Sequence, residues 1–304
     1  MKRLLALLLG LLPAACNLHA PAPHPRYVLG KPYQADGVWH YPRAREDAVM
    51  TGLAAIAPSG HAPLTANGEA FDQRALAASS RTLQLPAIAR LTNLANGRQI
   101  EVRINDRGPA NPARLTLVTR RVAALLGFPP SGVARVRLRV LPGPSQRAAN
   151  GLAGAPHLAV ARAPVAAVVS MPLGPPGTNA GATFSGPVPA LPASAAPAGH
   201  PATADAGSAG AGAALVPALS PAVTQVAAAP GALYVRLNTF TEYQYAAQLQ
   251  ARLAGLHPAI VRSFSGGEEK FTVRIGPFAH VAPADAALGQ VIRAGFPAAR
   301  IVVR

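Results

Sequence analysis

The chain has 304 residues and a formal net charge of +16, and 50% of its residues are hydrophobic, although many of these are alanines in stretches rich in its 32 prolines. Such stretches bury little apolar surface, so a single large core is excluded and the length suits two smaller domains. The positive charge favours binding to an anionic polymer or surface, unless it only reflects a genome rich in arginine codons. The sequence has no helix-turn-helix signal, no zinc-ligand spacing and no RNP-type aromatic box, so it disfavours a nucleic-acid-binding protein.

The first sixteen residues have the pattern of an export signal. A short basic start is followed by an apolar run over residues 4–12 and by Pro13-Ala14-Ala15, directly before Cys16. The apolar run is too short to span a membrane, so residues 1–15 are predicted to be a cleaved signal peptide. Cys16 is the single cysteine of the chain, which excludes an internal disulfide.

Residues 13–16 resemble the lipobox of bacterial lipoproteins. The resemblance implies that Cys16 carries lipid and anchors the protein in the cell envelope, with its domains on the periplasmic face. By the same resemblance, Asn17 in place of an aspartate indicates the outer membrane rather than the inner membrane. The alternative is an ordinary secretory signal cleaved nearby, which would leave a soluble protein with a free thiol.

Residues 27–142 are predicted to form a mainly β domain. Short alternating stretches are bounded by turn residues, and the clearest of them, residues 98–105, alternates apolar with polar side chains as a half-buried strand does. Residues 119–126 have helical spacing instead. Several short strands with one helix predict a small β-barrel.

The rest of the chain is predicted to be a linker and an α+β domain. Residues 143–230 consist mostly of Ala, Pro, Gly and Ser with hardly any charge, which predicts a disordered linker that joins the domains without fixing their geometry. Residues 231–304 have the pattern strand, helix, strand, strand, helix, strand. This order fits a four-stranded antiparallel sheet with two helices, of the ferredoxin or RNP type.

Two stretches of the C-terminal region, residues 234–240 and 271–278, resemble the SPOR domain, the second through its strand ending Arg274-Ile275-Gly276-Pro277-Phe278. The resemblance implies binding to denuded septal glycan strands of peptidoglycan, with Arg236 and Arg274 in contact with substrate. That family usually has glutamine at the position of Arg236, where an arginine adds charge and can pair with carboxylates. An RNA-binding domain of the same strand order is the alternative, and it is disfavoured because the sheet lacks interleaved aromatic residues that would stack bases.

The central region resembles the rare lipoprotein A family of lytic transglycosylases, which are built on a double-psi β-barrel. Matching stretches occur in the family's order: Gly37-Val38-Trp39-His40-Tyr41-Pro42, Thr51-Gly52-Leu53-Ala54, Thr65-Ala66-Asn67-Gly68-Glu69, Thr82-Leu83-Gln84-Leu85-Pro86, Thr92-Asn93-Leu94 and Asn105-Asp106-Arg107-Gly108-Pro109. The resemblance implies a carbon-oxygen lyase that cleaves the β-1,4 bond between MurNAc and GlcNAc endolytically and leaves 1,6-anhydro ends. No metal and no organic cofactor is expected for this reaction.

Two carboxyl groups are the predicted catalytic residues. Cleavage of a glycosidic bond requires an acid that protonates the leaving oxygen. Asp106 ends a predicted strand and precedes the turn at Gly108-Pro109, so its carboxyl group is predicted at the barrel rim as the acid and base, and Glu69 is predicted to assist. Without a catalytic role, Asp106 would pair with a local arginine and Glu69 would be a solvated loop residue. The motifs that match the family add three substrate-binding residues: Asn67, Asn105 and Arg107.

The predicted site also departs from the family. The family histidine is replaced by Ser80, an aspartate by Thr116, and an aromatic-rich run by residues 54–58. His61, in a nearby loop, is a candidate replacement for the histidine. The departures keep a second function open, a noncatalytic, expansin-like lipoprotein that binds peptidoglycan without cutting it.

Overall fold

The computed structural model describes residues 21–156 and 219–304. The predicted signal peptide, Cys16 and most of the predicted linker lie outside these ranges. None of the helices within them is both long and apolar enough to cross a membrane.

A short hairpin precedes the barrel. Its strands are β1 (Tyr33–Ala35) and β2 (Val38–His40). The two turn residues, Asp36 and Gly37, have φ angles of 51° and 74°. A turn with two positive φ angles matches the twist of a two-residue hairpin, and an Asp-Gly pair is well suited to it.

The central domain is a closed barrel. Its strands are β3 (Val49–Ile56), β4 (Ala77–Ser79), β5 (Ala87–Asn93), β6 (Arg98–Asp106), β7 (Thr116–Val118) and β8 (Val133–Val140), and a two-residue strand, β9 (Thr224–Gln225), adds to the outside of β6. The order is β4-β7-β3-β8-β5-β6, and β4 also pairs with β6, which closes the ring. The β3–β7 and β4–β6 pairs are parallel. The prediction of a double-psi type of barrel is confirmed, and the closed ring has six strands.

The core of the barrel follows from the alternation seen in the sequence. Ile100, Val102 and Ile104 of β6 are at most 2% exposed and pack with the inward residues of the other strands. The polar face of β6 reaches solvent at Glu101 but not nearer the end of the strand, because Arg103 and Asn105 are each 6% exposed beneath a loop. Helix α1 (Arg120–Leu125) covers one end of the barrel, and the Oγ1 atom of Thr119 accepts a hydrogen bond from the Val122 amide as its N-cap.

Both ends of the predicted linker belong to the folded structure, so the prediction was too long there. Helix α2 (Pro142–Ala149) packs on β5, where Ser145 bonds both the amide and the carbonyl of Ile88. At the other end, residues 219–230 return to the barrel, and Ala229 donates a hydrogen bond to the Leu94 carbonyl. Small residues suit both contacts because they permit close approach, whereas the same composition is typical of disorder.

The C-terminal domain has the predicted order of elements. They are β10 (Leu233–Phe240), α3 (Tyr243–Arg252), β11 (Ala259–Ser265), β12 (Glu268–Phe278), α4 (Val281–Arg293) and β13 (Arg300–Val303). The antiparallel sheet has the order β11-β12-β10-β13. Apolar residues of its strands, among them Val235 and Val273, form one core with Ala246 of α3 and Leu288 of α4, so both helices cover the same face.

The barrel and the C-terminal domain are in direct contact within one compact unit. Leu53 of β3 is fully buried and packs in the core of the C-terminal domain. Arg114 forms two hydrogen bonds with the carboxylate of Asp285, at 2.8 and 2.9 Å, and the Thr51 hydroxyl donates to the Val303 carbonyl at 2.8 Å. The expectation that the domains have no fixed geometry therefore does not describe this arrangement.

Candidate active site

Asp106 is the last residue of β6, beside the end of β4. Its backbone carbonyl accepts a hydrogen bond from the Ser80 amide at 2.9 Å. Its carboxylate is held on both oxygens: Oδ1 accepts from the Ala66 amide at 2.8 Å, and Oδ2 lies 2.6 Å from Nε2 of His61. The side chain is 15% exposed, so the carboxyl group is fixed in place and still reachable from solvent.

His61 is positioned by contacts on its other side. Its ring stacks on Phe71, with 3.9 Å between the ring centroids and an interplanar angle of 14°. Its Nδ1 atom lies 2.9 Å from the Ala62 carbonyl oxygen. A carbonyl oxygen only accepts, so the contact to Ala62 suits an Nδ1 that donates, while Nε2 faces the Asp106 carboxyl group. The two side chains are therefore close enough to pass a proton between them.

Glu69 lies below this pair in a buried polar cluster. It is 6% exposed, and its carboxylate accepts hydrogen bonds from Arg103 at 2.7 and 2.8 Å, from Asn67 at 2.6 Å and from Asn105 at 2.9 Å. Burial acts to raise the pKa of Glu69, but the hydrogen bonds and charge of Arg103, with the two asparagine amides, outweigh it and lower the pKa. Glu69 is consequently an ionised acceptor and has no proton to donate at neutral pH.

The buried cluster and the Asp106 carboxylate are joined through one loop. The Thr65 hydroxyl donates to Oδ1 of Asn67 at 2.8 Å, and the Asn67 amide donates to the Asn105 carbonyl at 3.3 Å. Ala66, between Thr65 and Asn67, supplies the amide that holds Asp106. Glu69 thus fixes the loop that orients Asp106.

The three residues predicted to bind substrate from the central domain have partners within the protein. Asn67 and Asn105 are 0% and 6% exposed, and their side-chain amides donate hydrogen bonds to the Glu69 carboxylate. Arg107 donates to the backbone carbonyls of Leu83 at 2.5 Å and Leu29 at 2.7 Å, and so ties the segment before the hairpin to the barrel. Direct contact of these three residues with substrate stays a prediction.

Ser80, predicted to stand at the family's histidine position, is a buried turn residue. It is 5% exposed, and its hydroxyl accepts from the amides of Thr82 and Leu83 at 3.4 and 3.3 Å, as a turn residue does. Thr116 is fully buried and donates to the Ser79 carbonyl. Sequence reasoning missed Arg103, although its position two residues before Asn105 on the same face of β6 was a usable signal.

Within the described ranges, no three His, Cys, Asp or Glu side chains are grouped as a metal ion would require. The acid, the ionised carboxylate and the exposed rim together suit the protonation of a bound oxygen and the stabilisation of nearby positive charge.

Comparison with known proteins agrees with this geometry. Residues 50–138 match a family model described as a lytic transglycolase, and residues 229–301 match the SPOR domain. The fold and the matches define a protein in which a double-psi barrel of the lytic transglycosylase type is joined to a SPOR domain.

Individual proteins with similar sequences give a second comparison. The chain is 37% identical over 154 residues to the endolytic peptidoglycan transglycosylase RlpA of Pseudomonas aeruginosa, covering 48% of this chain and 45% of that protein. It is 36% identical over 124 residues to the RlpA of Campylobacter jejuni, covering 40% and 45%, and 42% identical over 123 residues to that of Escherichia coli O157:H7, covering 36% and 33%. The chain spans about half or less of the length of these relatives. Over these stretches the chain is similar to the rare lipoprotein A (RlpA) family.

Proposed function

We propose that the protein is an endolytic lytic transglycosylase of peptidoglycan. The observation that carries the proposal is the 2.6 Å contact between Nε2 of His61 and Oδ2 of Asp106 at the rim of a barrel that matches this class of enzyme. Its substrate is a denuded glycan strand, cut at the β-1,4 bond between MurNAc and GlcNAc.

In the proposed reaction, Asp106 donates its proton to the glycosidic oxygen and the bond from that oxygen to the anomeric carbon breaks. Positive charge then develops on the sugar ring. The 6-hydroxyl oxygen of the same sugar bonds to the anomeric carbon, and its proton passes to Asp106, which restores the enzyme. One carboxyl group serves first as acid and then as base, so no water is consumed.

Glu69 is proposed to act as a positioning residue rather than as a second acid. Its lowered pKa keeps it ionised, and its partners Asn67 and Arg103 hold the loop that supplies the Ala66 amide to Asp106.

The remaining parts of the proposal concern location. The C-terminal domain, which matches the SPOR family, is proposed to concentrate the enzyme on denuded strands at the division septum. Cys16 is proposed to carry the lipid that anchors the chain, in the outer membrane. Both anchoring and targeting place the barrel beside its polymer and raise the local substrate concentration.

The test digests denuded glycan strands with the purified protein and detects 1,6-anhydro-muramyl ends by mass spectrometry. We expect product from the unmodified protein and from Asp47→Asn, a control that removes an exposed carboxylate outside the site. Asp106→Asn should give none. If the unmodified protein pellets with peptidoglycan and yields no product, the enzyme proposal fails and a noncatalytic binder takes its place; product from Asp106→Asn would refute the mechanism alone.

A further inference from the structure

A cleft with a volume of about 640 Å³ lies between the barrel and the C-terminal domain. The barrel contributes the β1–β2 hairpin and the segment that carries Arg43 and Arg45, and the C-terminal domain contributes β13 with Arg300 and, after the strand, Arg304. Both domains are required to form it.

Three arginines form a row across the open face of the C-terminal sheet. Arg236 and Arg300 line the cleft, whereas Arg274 lines a small neighbouring depression and lies over the Tyr234 ring, 4.3 Å from its centroid. Arg236 of β10 lies opposite Arg274 of β12 and opposite Arg300 of β13, so their side chains share the face that the helices leave open. Like charges in directly opposed positions destabilise a sheet. None of the ion pairs within the described ranges includes these arginines, and the buried Nε atom of Arg236 has no hydrogen-bond partner there. A row of this kind is suited to an anionic ligand.

The barrel places further positive charge against the row. Burial lowers the pKa of Arg300, and the positive charge of Arg45 lowers it further. Burial also lowers the pKa of Arg81, and the positive charge of Arg300 acts in the same direction. All three guanidinium groups stay protonated, since arginine does not lose its charge in proteins. Asp36 is the single acidic side chain among the lining residues. The electrostatic field of the cleft therefore comes from both domains.

Two exposed aromatic side chains lie at the same cleft. Trp39 is 56% exposed and Tyr41 is 60% exposed, and their ring centroids are 6.5 Å apart. Exposed aromatic surface beside polar residues marks an interaction site, and flat rings suit the apolar faces of sugars. Asp106 and His61 do not line the cleft, but Ser80 does, and its backbone amide donates to the Asp106 carbonyl.

We propose that the cleft binds a glycan strand through the free carboxylates of its lactyl groups. Removal of a stem peptide converts a lactyl amide into a carboxylate, and the arginine fork matches that group in geometry and charge. Recognition of denuded glycan is then shared between the barrel and the C-terminal domain. The inference rests on the proposed function in taking the glycan strand as the ligand.

The test measures the affinity of the full chain for labelled denuded strands and for the same strands with their carboxylates reduced to alcohols. The variant is Arg45→Gln with Arg300→Gln, whose side chains make no hydrogen bond within the described ranges, so the fold should persist. The control is Arg121→Gln with Arg293→Gln, which removes the same charge from exposed positions outside the cleft.

We expect the cleft variant to bind denuded strands at least about tenfold more weakly, the loss that follows from removing a charge-assisted hydrogen bond, and the control to bind like the unmodified protein. Reduced strands should bind the unmodified protein and the cleft variant equally weakly. Equal binding of denuded strands by the variant and the unmodified protein, or the same loss on both strands, would overturn the inference. Tight binding of polyglutamate or an RNA oligomer would overturn it in favour of unspecific attraction of polyanions.

Product analysis separates this inference from the proposed function. If binding depends on the carboxylates but no 1,6-anhydro product forms, the proposed role of the cleft stands and the proposed activity is refuted. If product forms but binding does not depend on the carboxylates, the proposed activity stands and the proposed role of the cleft is refuted.

Discussion

The Nε2 atom of His61 lies 2.6 Å from the Oδ2 atom of Asp106. The imidazole is stacked on Phe71 and comes from a loop remote in sequence from Ser80, where the resemblance predicts that the family has its histidine. An imidazole beside the Asp106 carboxyl group is therefore available in this chain from another position.

Replacement of His61 by alanine should lower kcat by about 10²-fold, the lower end of what proton transfer by a positioned group contributes. KM should stay unchanged, because His61 acts through Asp106 and not on the sugar. His61→Asn, whose amide can donate to the same carboxylate, should recover part of the rate. His280→Ala, at an exposed histidine, is the control, and steady-state kinetics on denuded strands supplies the measurement. An unchanged kcat for His61→Ala would show that the contact has no part in the reaction.

Glu69→Gln should destabilise the protein by about 3–5 kcal/mol at neutral pH, because it leaves the buried guanidinium of Arg103 without its charge partner. The pKa of Glu69 is lower in the folded chain than its ordinary value of 4.5. Its ionised form therefore stabilises the fold above that value, and the contribution disappears as the pH falls through the folded pKa.

Urea unfolding of the unmodified protein and Glu69→Gln across pH 3–7 measures this difference, which should shrink toward the acid end. Glu101→Gln breaks the more exposed pair with Arg90 and should cost about 0–1 kcal/mol. A difference independent of pH would contradict the proposed ionised state of Glu69.

Gly68→Ala should destabilise the site loop by about 1–3 kcal/mol, the usual cost of a strained backbone conformation. Gly68 has a φ of +83°, and an added Cβ would overlap the carbonyl of His24. Since this loop holds Asp106 through Ala66, activity should fall together with stability. Gly60→Ala adds a methyl group where nothing lies within 4 Å and should change neither; thermal unfolding and product formation are the readouts.

Arg114 and Asp285 should show a coupling energy of about 1–3 kcal/mol in a double-mutant cycle with Arg114→Ala and Asp285→Ala. The pair is bidentate and its arginine is 13% exposed, so it is screened less than a surface pair. Arg262 with Glu269, the first of which is 64% exposed, is the comparison pair and should couple weakly. A value near zero for Arg114 and Asp285 would show that the pair does not hold the domains together.

The strands were predictable from the sequence because their side chains alternate, as in residues 98–105 and in the C-terminal domain. Arg103 was not, since an arginine on the polar face of a strand normally reaches solvent and its burial depends on a carboxylate 34 positions earlier in the chain. The contact of His61 with Asp106 likewise depends on where two distant loops meet, which spacing does not encode. Helix α2 was missed because Ala, Pro and Gly bury too little apolar surface to mark it, and Ser145 holds it by hydrogen bonds instead.

Strand β13 is the last in its sheet, and an open sheet edge is a template for pairing with another chain. Here the barrel covers that edge: Thr51 bonds the Val303 carbonyl, and Gly52 lies so close to the Ile301 carbonyl oxygen that an added Cβ would be 3.3 Å from it. A C-terminal fragment cut free of the barrel would expose both this edge and the apolar surface that now covers Leu53. Such a fragment would tend to self-associate. Because an associated fragment binds a repetitive polymer at several sites at once, its measured affinity would not describe the intact chain.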